Sequence, residues 1–332
     1  MGPVRWGILS TAHIGTQKVI PAMLKSSSLQ VSAIASRDLA TAQGVAATLG
    51  IATAHGSYEA LLADPSIEVI YNPLPNHLHV PMTLAAAQAG KHVLCEKPMS
   101  MNAAELEVLR PFTSKVHIQE AFMVRSHPQW IAAREHVRRG EIGELRFMQV
   151  PFSYFNVDAA NIRNRPDAGG GALYDIGCYA VAAGRWFFEG EPERVAATID
   201  RDPAFGTDRR TSALLDFGAG RHLDFTVSTQ AVPYQRVQIS GTKKRLEIRI
   251  PFNAPPDAST TLLLDDGSQL DGSTIVAETV PACDHYTLQG DAFARAVRGE
   301  TALPYGVADA VQNMRIIEAL FRSETSGRWE TP

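Results

Sequence analysis

The sequence predicts a two-domain α/β protein. A doubly wound parallel sheet occupies residues 1–123, and an α+β domain with a large, mostly antiparallel, open-faced sheet occupies residues 124–332. Three observations predict this. Short apolar runs alternate with helical patterns as far as Phe122. Beyond it, between Val195 and Val280, strands follow one another with turn signals and no long helix. A chain of 332 residues also exceeds what one small core organises.

Val4-Arg5-Trp6-Gly7-Ile8-Leu9 reads as a buried strand, and residues 14–24 carry apolar side chains at helical spacing. Strands are then expected at 29–36, 69–71, 92–95 and 116–119, with helices at 39–49, 80–89 and 103–109. Strand and helix alternating at this interval argue for a parallel sheet with right-handed crossovers, which binds ligands at the carboxyl ends of its strands. In the second part, helices are expected at 128–138 and 171–188. Strands with turns at Gly218-Ala219-Gly220, Gly241-Thr242 and Asp266-Gly267 come next, then closing helices at 286–297 and 306–322. A sheet with its helices on one face leaves the other to be covered, so a homodimer or higher homo-oligomer through that face is expected.

Composition narrows the function classes. The net charge of -4 gives no reason to expect a nucleic-acid or membrane partner, and no apolar run is long enough to span a bilayer. Cys95, Cys178 and Cys283 are odd in number and widely spaced, which fits neither a disulfide framework nor a zinc site. A cytoplasmic, reducing location and no metal are expected. Cys283-Asp284-His285 has the right residue types for a metal, but three adjacent residues cannot all face one ion.

The turn after the first strand reads Ser10-Thr11-Ala12-His13-Ile14-Gly15, where a dinucleotide fingerprint would read G-x-G-x-x-G. Only the last glycine is kept. Ser10 and Ala12 are still small enough for the backbone to approach a pyrophosphate, and Ser10 and Thr11 add hydroxyls near a helix N-terminus. About 20 residues further on, a carboxylate would take the adenosine ribose hydroxyls in an NAD site. Ser36 and Arg37 stand there instead, and a guanidinium grips a phosphate, so NADP is expected over NAD. Asp38 can take the ribose hydroxyls of an NAD complex or cap the next helix, and the two roles are compatible. The fourth expected strand runs into Glu96-Lys97-Pro98, which puts Lys97 at a ligand-facing strand end, where Pro98 keeps it extended. Asp175 and Tyr179 are four residues apart and share a helix face behind Gly169-Gly170-Gly171.

Gly90-Lys91-His92-Val93-Leu94-Cys95-Glu96-Lys97-Pro98 resembles the signature of the glucose–fructose oxidoreductase/inositol dehydrogenase family. Pro75-Asn76-His77-Leu78-His79, the segment from Gly169 to Tyr179, and the stretch from Asn313 to Arg322 carry the resemblance across the chain. Within the family the sequence looks closest to sugar 1-dehydrogenases and dihydrodiol dehydrogenases that use NADP. The missing glycines at positions 10 and 12 are its departure from the pattern.

The resemblance implies a Rossmann-type first domain and hydride transfer between a nicotinamide cofactor and a small polyhydroxylated substrate. Aldose C1 oxidation to the lactone is the leading expectation; anhydro-keto-sugar reduction or trans-dihydrodiol oxidation is the alternative. It implies catalytic roles for Lys97, Tyr179 and Asp175. Tyr179 moves the hydroxyl proton, Lys97 favours the tyrosinate, and Asp175 orients substrate hydroxyls or Lys97. It further implies cofactor contacts from Ser10, Thr11, Ala12, His13, Ile14, Ser36, Arg37, Leu74, Asn76, His79, Glu96 and Lys97. Arg163 touches cofactor or substrate or is a surface residue, and Tyr286 closes over the nicotinamide side. Phe152, Tyr154 and Phe155 alternate either as a stacking face for a substrate ring, with Phe155 in contact, or as any half-buried strand. Non-catalytic NADP-binding regulators of the same fold tend to lose the lysine, which is present here.

Overall fold

The computed structural model describes residues 2–332, in two compact units. The first is residues 2–123 with Asp284–Val311, and the second is Val124–Cys283 with Gln312–Pro332. Residues 284–311 thus return to the first unit instead of remaining within 124–332, and their packing gives the reason below.

The first unit holds a six-stranded parallel sheet ordered β3-β2-β1-β4-β5-β6. Its strands are β1 (Val4–Leu9), β2 (Leu29–Ala35), β3 (Thr53–His55), β4 (Val69–Asn72), β5 (His92–Cys95) and β6 (Ile118–Glu120). The order reverses between β1 and β4, which opens a crevice at their carboxyl ends. The connections carry α1 (Ile20–Met23), α2 (Leu39–Leu49), α3 (Tyr58–Ala63), α4 (Asn76–Gln88) and α5 (Ala103–Leu106). A wider π-type turn, Gly15–Val19, precedes α1. Pro21 accounts for it, since proline lacks the N–H that would close the preceding α-turn. Strand β3 and helix α3 were not anticipated: Thr53-Ala54-His55 has no apolar run to announce it.

The core of this unit gathers Trp6, Ile8, Ile20, Val31, Ile34, Val69 and Leu94, together with Phe293 and Ala294 from far along the chain. Phe293 packs on Trp6 with ring centroids 5.7 Å apart. A Cβ at Gly290 would lie 2.6 Å from Leu29 Cδ1, so glycine lets this late helix approach β2. Thr287 Oγ1 donates to Ala22 O at 2.7 Å, and Lys25 pairs with Asp284 at 2.8 Å. Apolar burial and these polar ties recruit residues 284–311 to the first unit.

The second unit begins with α6 (Pro128–Arg138) and is built on β7 (Leu145–Phe155), which pairs in parallel with β10 and antiparallel with β11 and β12. Helix α7 (Cys178–Phe188) follows β7. The remaining strands are β8 (Arg194–Arg201), β9 (Asp208–Asp216), β10 (His222–Ser228), β11 (Gln230–Gln235), β12 (Val237–Gly241), β13 (Arg245–Ile248), β14 (Thr260–Asp265) and β15 (Val276–Val280). The sheet path is β15-β14-β13-β12-β7-β10-β9-β8, mixed and mostly antiparallel as expected. Helix α8 (His285–Val297) belongs to the first unit, and α9 (Val307–Ser326) passes into the second from Gln312.

Period-two alternation assigns the faces. Met148, Val150, Phe152, Leu223, Phe225 and Val227 are buried on one side, against which α7 lies. Gly184 allows that contact, since a Cβ there would sit 2.9 Å from Leu223 Cδ2. Gln149, Asp224, Thr226 and Ser212 alternate to the other side, which is polar and half-buried to exposed. Among the described residues, no helix is long and apolar enough to cross a membrane.

Candidate active site

In the first unit the turn after β1 is bent by Ser10, whose φ of 72° is left-handed and costs a side-chain-bearing residue about 1–2 kcal/mol. That conformation is why glycine would be usual there. Ser10 Oγ accepts from Ala12 N at 3.2 Å, a bond glycine cannot form, which offsets part of the strain. Ser10, Thr11, Ala12 and Ile14 are half-buried and His13 is exposed, so the turn presents backbone and hydroxyls at its surface. These small residues fit a pyrophosphate-binding turn.

At the end of β2, Asp38 is committed to capping α2. Its Oδ2 accepts from Thr41 N at 2.9 Å and Thr41 Oγ1 at 2.5 Å, and these bonds lower its pKa. The expected cap is present, and it leaves Oδ1 outside these bonds. Ser36 is half-buried and Arg37 exposed, and the Arg37 charge acts on the Tyr58 phenol at the start of α3. Such a strand end offers a cation and a hydroxyl where an NAD site would offer a carboxylate.

At the ends of β4 and β5, Leu74 is buried and Asn76 half-buried at the first turn of α4. His79 is 1% exposed, and its ring nitrogens lie 2.8 Å from Pro98 O and 2.6 Å from Leu74 O. Burial pulls its pKa down to about 4. A neutral imidazole carries one N–H, so the ring donates to one of these two carbonyls, and it sits between the turn after β4 and the turn that carries Lys97. Lys97 and Glu96 are half-buried, and the Lys97–Pro98 peptide is cis. Glu96 Oε1 accepts from Tyr71 OH at 2.7 Å, and its charge, added to burial, raises the pKa of both Tyr71 and Tyr286. Tyr286, remote in sequence, therefore joins the strand-end cluster of this unit. Tyr71 was not anticipated; it read only as a strand residue.

In the second unit the segment Leu173–Gly177 is another wide π-type turn, leading directly into α7. Asp175 and Tyr179 stand on this helical run. Asp175 Oδ2 accepts from Tyr154 OH at 2.5 Å and from Arg163 Nε at 3.0 Å. Tyr179 is 6% exposed, with Phe152 and Phe252 ring centroids at 6.2 Å and 5.3 Å. The preceding glycines serve the protein's own backbone. A Cβ on Gly170 would lie 2.5 Å from Arg163 O, and one on Gly171 would lie 1.9 Å from Asp208 Oδ1. Asp208 is buried, and its Oδ2 accepts from Leu173 N at 2.6 Å and Thr211 Oγ1 at 3.0 Å. Burial outweighs these donors and raises its pKa to about 6.

Phe155 is not brought to this cluster. It is 63% exposed and alternates to the sheet face opposite Tyr154, because β7 keeps its period of two to the end. Phe152 and Tyr154 do join the cluster, as packing for Tyr179 and as a donor to Asp175. Among the described residues, no group of three or more His, Cys, Asp or Glu side chains is placed to hold a metal ion. Cys283 Sγ instead lies 3.4 Å from His127 Nε2.

The reversed strand order and the turn after β1 define a dinucleotide-binding class of fold, and comparison with known proteins identifies an oxidoreductase. Residues 4–116 match the model of an oxidoreductase family with an NAD-binding Rossmann fold, and residues 130–247 match the GFO/IDH/MocA C-terminal domain. The chain belongs to the glucose–fructose oxidoreductase/inositol dehydrogenase (GFO/IDH/MocA) family. It is 42% identical to a D-xylose 1-dehydrogenase (NADP(+)) of Haloferax volcanii, over 97% of this chain and 98% of that protein. It is 36% identical to the trans-1,2-dihydrobenzene-1,2-diol dehydrogenase of Mus musculus, over 74% of each. In structure it resembles a 3-ketoreductase from Actinomadura kijaniata in complex with NADP and TDP-benzene. The TM-score is 0.89 at 27% identity, covering 97% of this chain and 98% of that one.

Proposed function

We propose that the protein oxidises C1 of an aldose, D-xylose or D-glucose, to the lactone, with NADP as the hydride acceptor. The observation that carries the cofactor half is the end of β2. Asp38 caps α2 through Oδ2, and Ser36 and Arg37 are offered beside it to the adenosine ribose. A guanidinium there pairs with a 2′-phosphate and has no partner in NAD. The sugar half is supported by the likeness to the D-xylose 1-dehydrogenase.

In this reading Ser10, Thr11, Ala12, His13 and Ile14 hold the pyrophosphate. Leu74, Asn76, Glu96 and Tyr286 shape the nicotinamide side, with His79 fixing the turns behind them. Bound NADP supplies the hydride acceptor. The protein's own part is proton transfer and positioning. Tyr179 takes the hydroxyl proton as general base, and Lys97 contacts the same substrate oxygen and favours the tyrosinate. A phenol with an ordinary pKa of about 10 needs nearby positive charge to do this near neutral pH. A homodimer through the exposed face of the second sheet is part of the same proposal.

The test is NADPH or NADH formation with each cofactor across a panel of aldoses, a trans-dihydrodiol and a keto-sugar in reverse. Turnover on an aldose with NADP preferred is expected. Arg37→Ala should lower kcat/KM with NADP by about tenfold or more, the scale of one charge-assisted phosphate contact, and change NAD turnover little. Activity confined to the diol, the substrate named for the mouse relative, would move the assignment to that chemistry. Equal loss with both cofactors in Arg37→Ala would sink the assignment of Arg37 to the 2′-phosphate.

A further inference from the structure

Tyr71 is buried in β4, and its side chain spans two turns of the dinucleotide-binding unit. At one end the ring lies against Gly15, the fingerprint glycine that the turn after β1 keeps. A Cβ on Gly15 would come within 3.7 Å of Tyr71 Cε1 and 3.6 Å of Pro73 Cγ. At the other end the hydroxyl donates to Glu96 Oε1 at 2.7 Å, in the turn after β5. Strands β1, β4 and β5 lie side by side, and the order reverses between β1 and β4. Tyr71 therefore bridges two turns at the crevice where such a sheet binds its dinucleotide.

The phenol is a constant donor, because burial and then the Glu96 charge push its pKa well above the ordinary 10. The main chain of Glu96 is fixed to the same strand, since Glu96 N donates to Asn72 O at 3.0 Å. Consecutive residues of β4 thus hold both the backbone and the side chain of Glu96. Of the two phenols that feel its charge, Tyr71 and Tyr286, Tyr71 is the one bonded to it. A carboxylate has about four lone-pair sites, so a bond from Tyr71 does not exclude bonds from a ligand. The pyrophosphate of a dinucleotide sits at the helix start to which Gly15 belongs. Glu96 stands one phenol away from that helix start, and the nicotinamide ribose is the next group along the cofactor.

We propose that Tyr71 is a positioning residue that holds the Glu96 carboxylate on the nicotinamide ribose hydroxyls of bound NADP. The inference deepens the proposed function and rests on its placing of Glu96 at the nicotinamide side. The ribose hydroxyls donate, the carboxylate accepts, and Tyr71 acts through Glu96 without touching the cofactor.

The test is equilibrium binding, by titration calorimetry, of NADP and of adenosine 2′,5′-bisphosphate, which carries the 2′-phosphate but no nicotinamide ribose. The full chain is compared with Tyr71→Phe, Glu96→Gln and the double variant. Glu96→Gln should weaken NADP about tenfold and Tyr71→Phe about fivefold, the scale of one hydrogen bond to a charged group. Phenylalanine keeps the ring against Gly15, so affinity for the bisphosphate should stay within about twofold in every variant. Added to Glu96→Gln, Tyr71→Phe should cost less than about twofold more, because the two side chains act as a unit. An equal loss for NADP and for the bisphosphate in Tyr71→Phe would show that Tyr71 serves the phosphate turn, and would overturn the inference. A loss of about fivefold on adding Tyr71→Phe to Glu96→Gln would overturn it too. Should Tyr71→Phe alone fail to fold, that comparison of the double variant with Glu96→Gln decides the matter. Unchanged NADP affinity in Glu96→Gln would remove Glu96 from the nicotinamide side and this inference with it. Loss in Glu96→Gln with none in Tyr71→Phe would overturn this inference alone. The expected binding losses with no turnover on any aldose would remove the sugar half of the proposed function and leave Tyr71 in its role.

Discussion

Asp208 shows how one buried carboxylate links this site to pH. It caps the wide turn that leads to Asp175 and Tyr179, and burial raises its pKa to about 6 from an ordinary 3.8. Between those values the native state binds more protons at Asp208 than the unfolded chain does. Its contribution to stability is therefore most favourable below about pH 4, declines as pH rises towards 6, and is constant above that. A rise of that size corresponds to at most roughly 3 kcal/mol. Asp208→Asn keeps an oxygen for Leu173 N and removes the titration. Relative to wild type, the variant should gain stability in urea unfolding as pH is raised from 4 to 7, by an amount on the order of 1–3 kcal/mol. A parallel dependence in both proteins would show that Asp208 does not titrate in this window. No sequence signal marked this residue, since an aspartate between Thr207 and Arg209 reads as any loop carboxylate. The places of Ser36-Arg37 and Lys97 just after strands, and of Tyr179 on a helix, were legible from spacing, while the roles proposed for them rest on the family resemblance. The partners Tyr71, Tyr154 and Asp208 were not, because only the folded chain brings them close.

Among elements, α8 is the most instructive. Its amphipathic pattern was legible, and its bounds were expected within one residue of His285–Val297. Its allegiance was not legible, because an apolar helix face does not say which core it enters. Phe293, 1% exposed against Trp6, answers that. Phe293→Ala should cost about 3–5 kcal/mol, the usual loss for a fully buried phenylalanine. The loss should appear as early unfolding of the dinucleotide-binding unit, followed by exchange protection at β1 and β2. A loss below about 1 kcal/mol would mean that α8 contributes little to that core. Elsewhere the elements followed the strength of their signals. The long patterns of α2 and α6 matched at both ends, at Leu39–Leu49 and Pro128–Arg138. The three-residue β3 left no signal, and Pro21 turned an expected α-turn into a wider one. The face of Phe155 was open to error because β7 runs on past Tyr154, and one further residue reverses the side.

For the whole molecule, the two-part organisation was legible from the change of rhythm after Phe122, and what covers the second sheet is the remaining question. Eight strands on its path, spaced about 4.8 Å and about 20 Å long, give a face of roughly 700 Å². That is close to the ~800 Å² per partner of a standard protein interface. The face is polar at its middle: Gln149 donates to Asp224 at 3.2 Å, Ser212 bonds Thr226 at 2.9 Å, and Leu214 stands between Asp224 and Ala196. Two copies related by a two-fold axis would set this face against itself, so one added cation appears twice in the contact. Leu214→Arg is the informative change, because Leu214 is half-buried on this side and Asp224 beside it can pair with the new guanidinium in the isolated chain. Light scattering after gel filtration should give a dimer for the wild type and a monomer with unchanged circular dichroism for the variant. A monomeric wild type, or a variant that remains dimeric at the same concentration, would show that this face is not the contact.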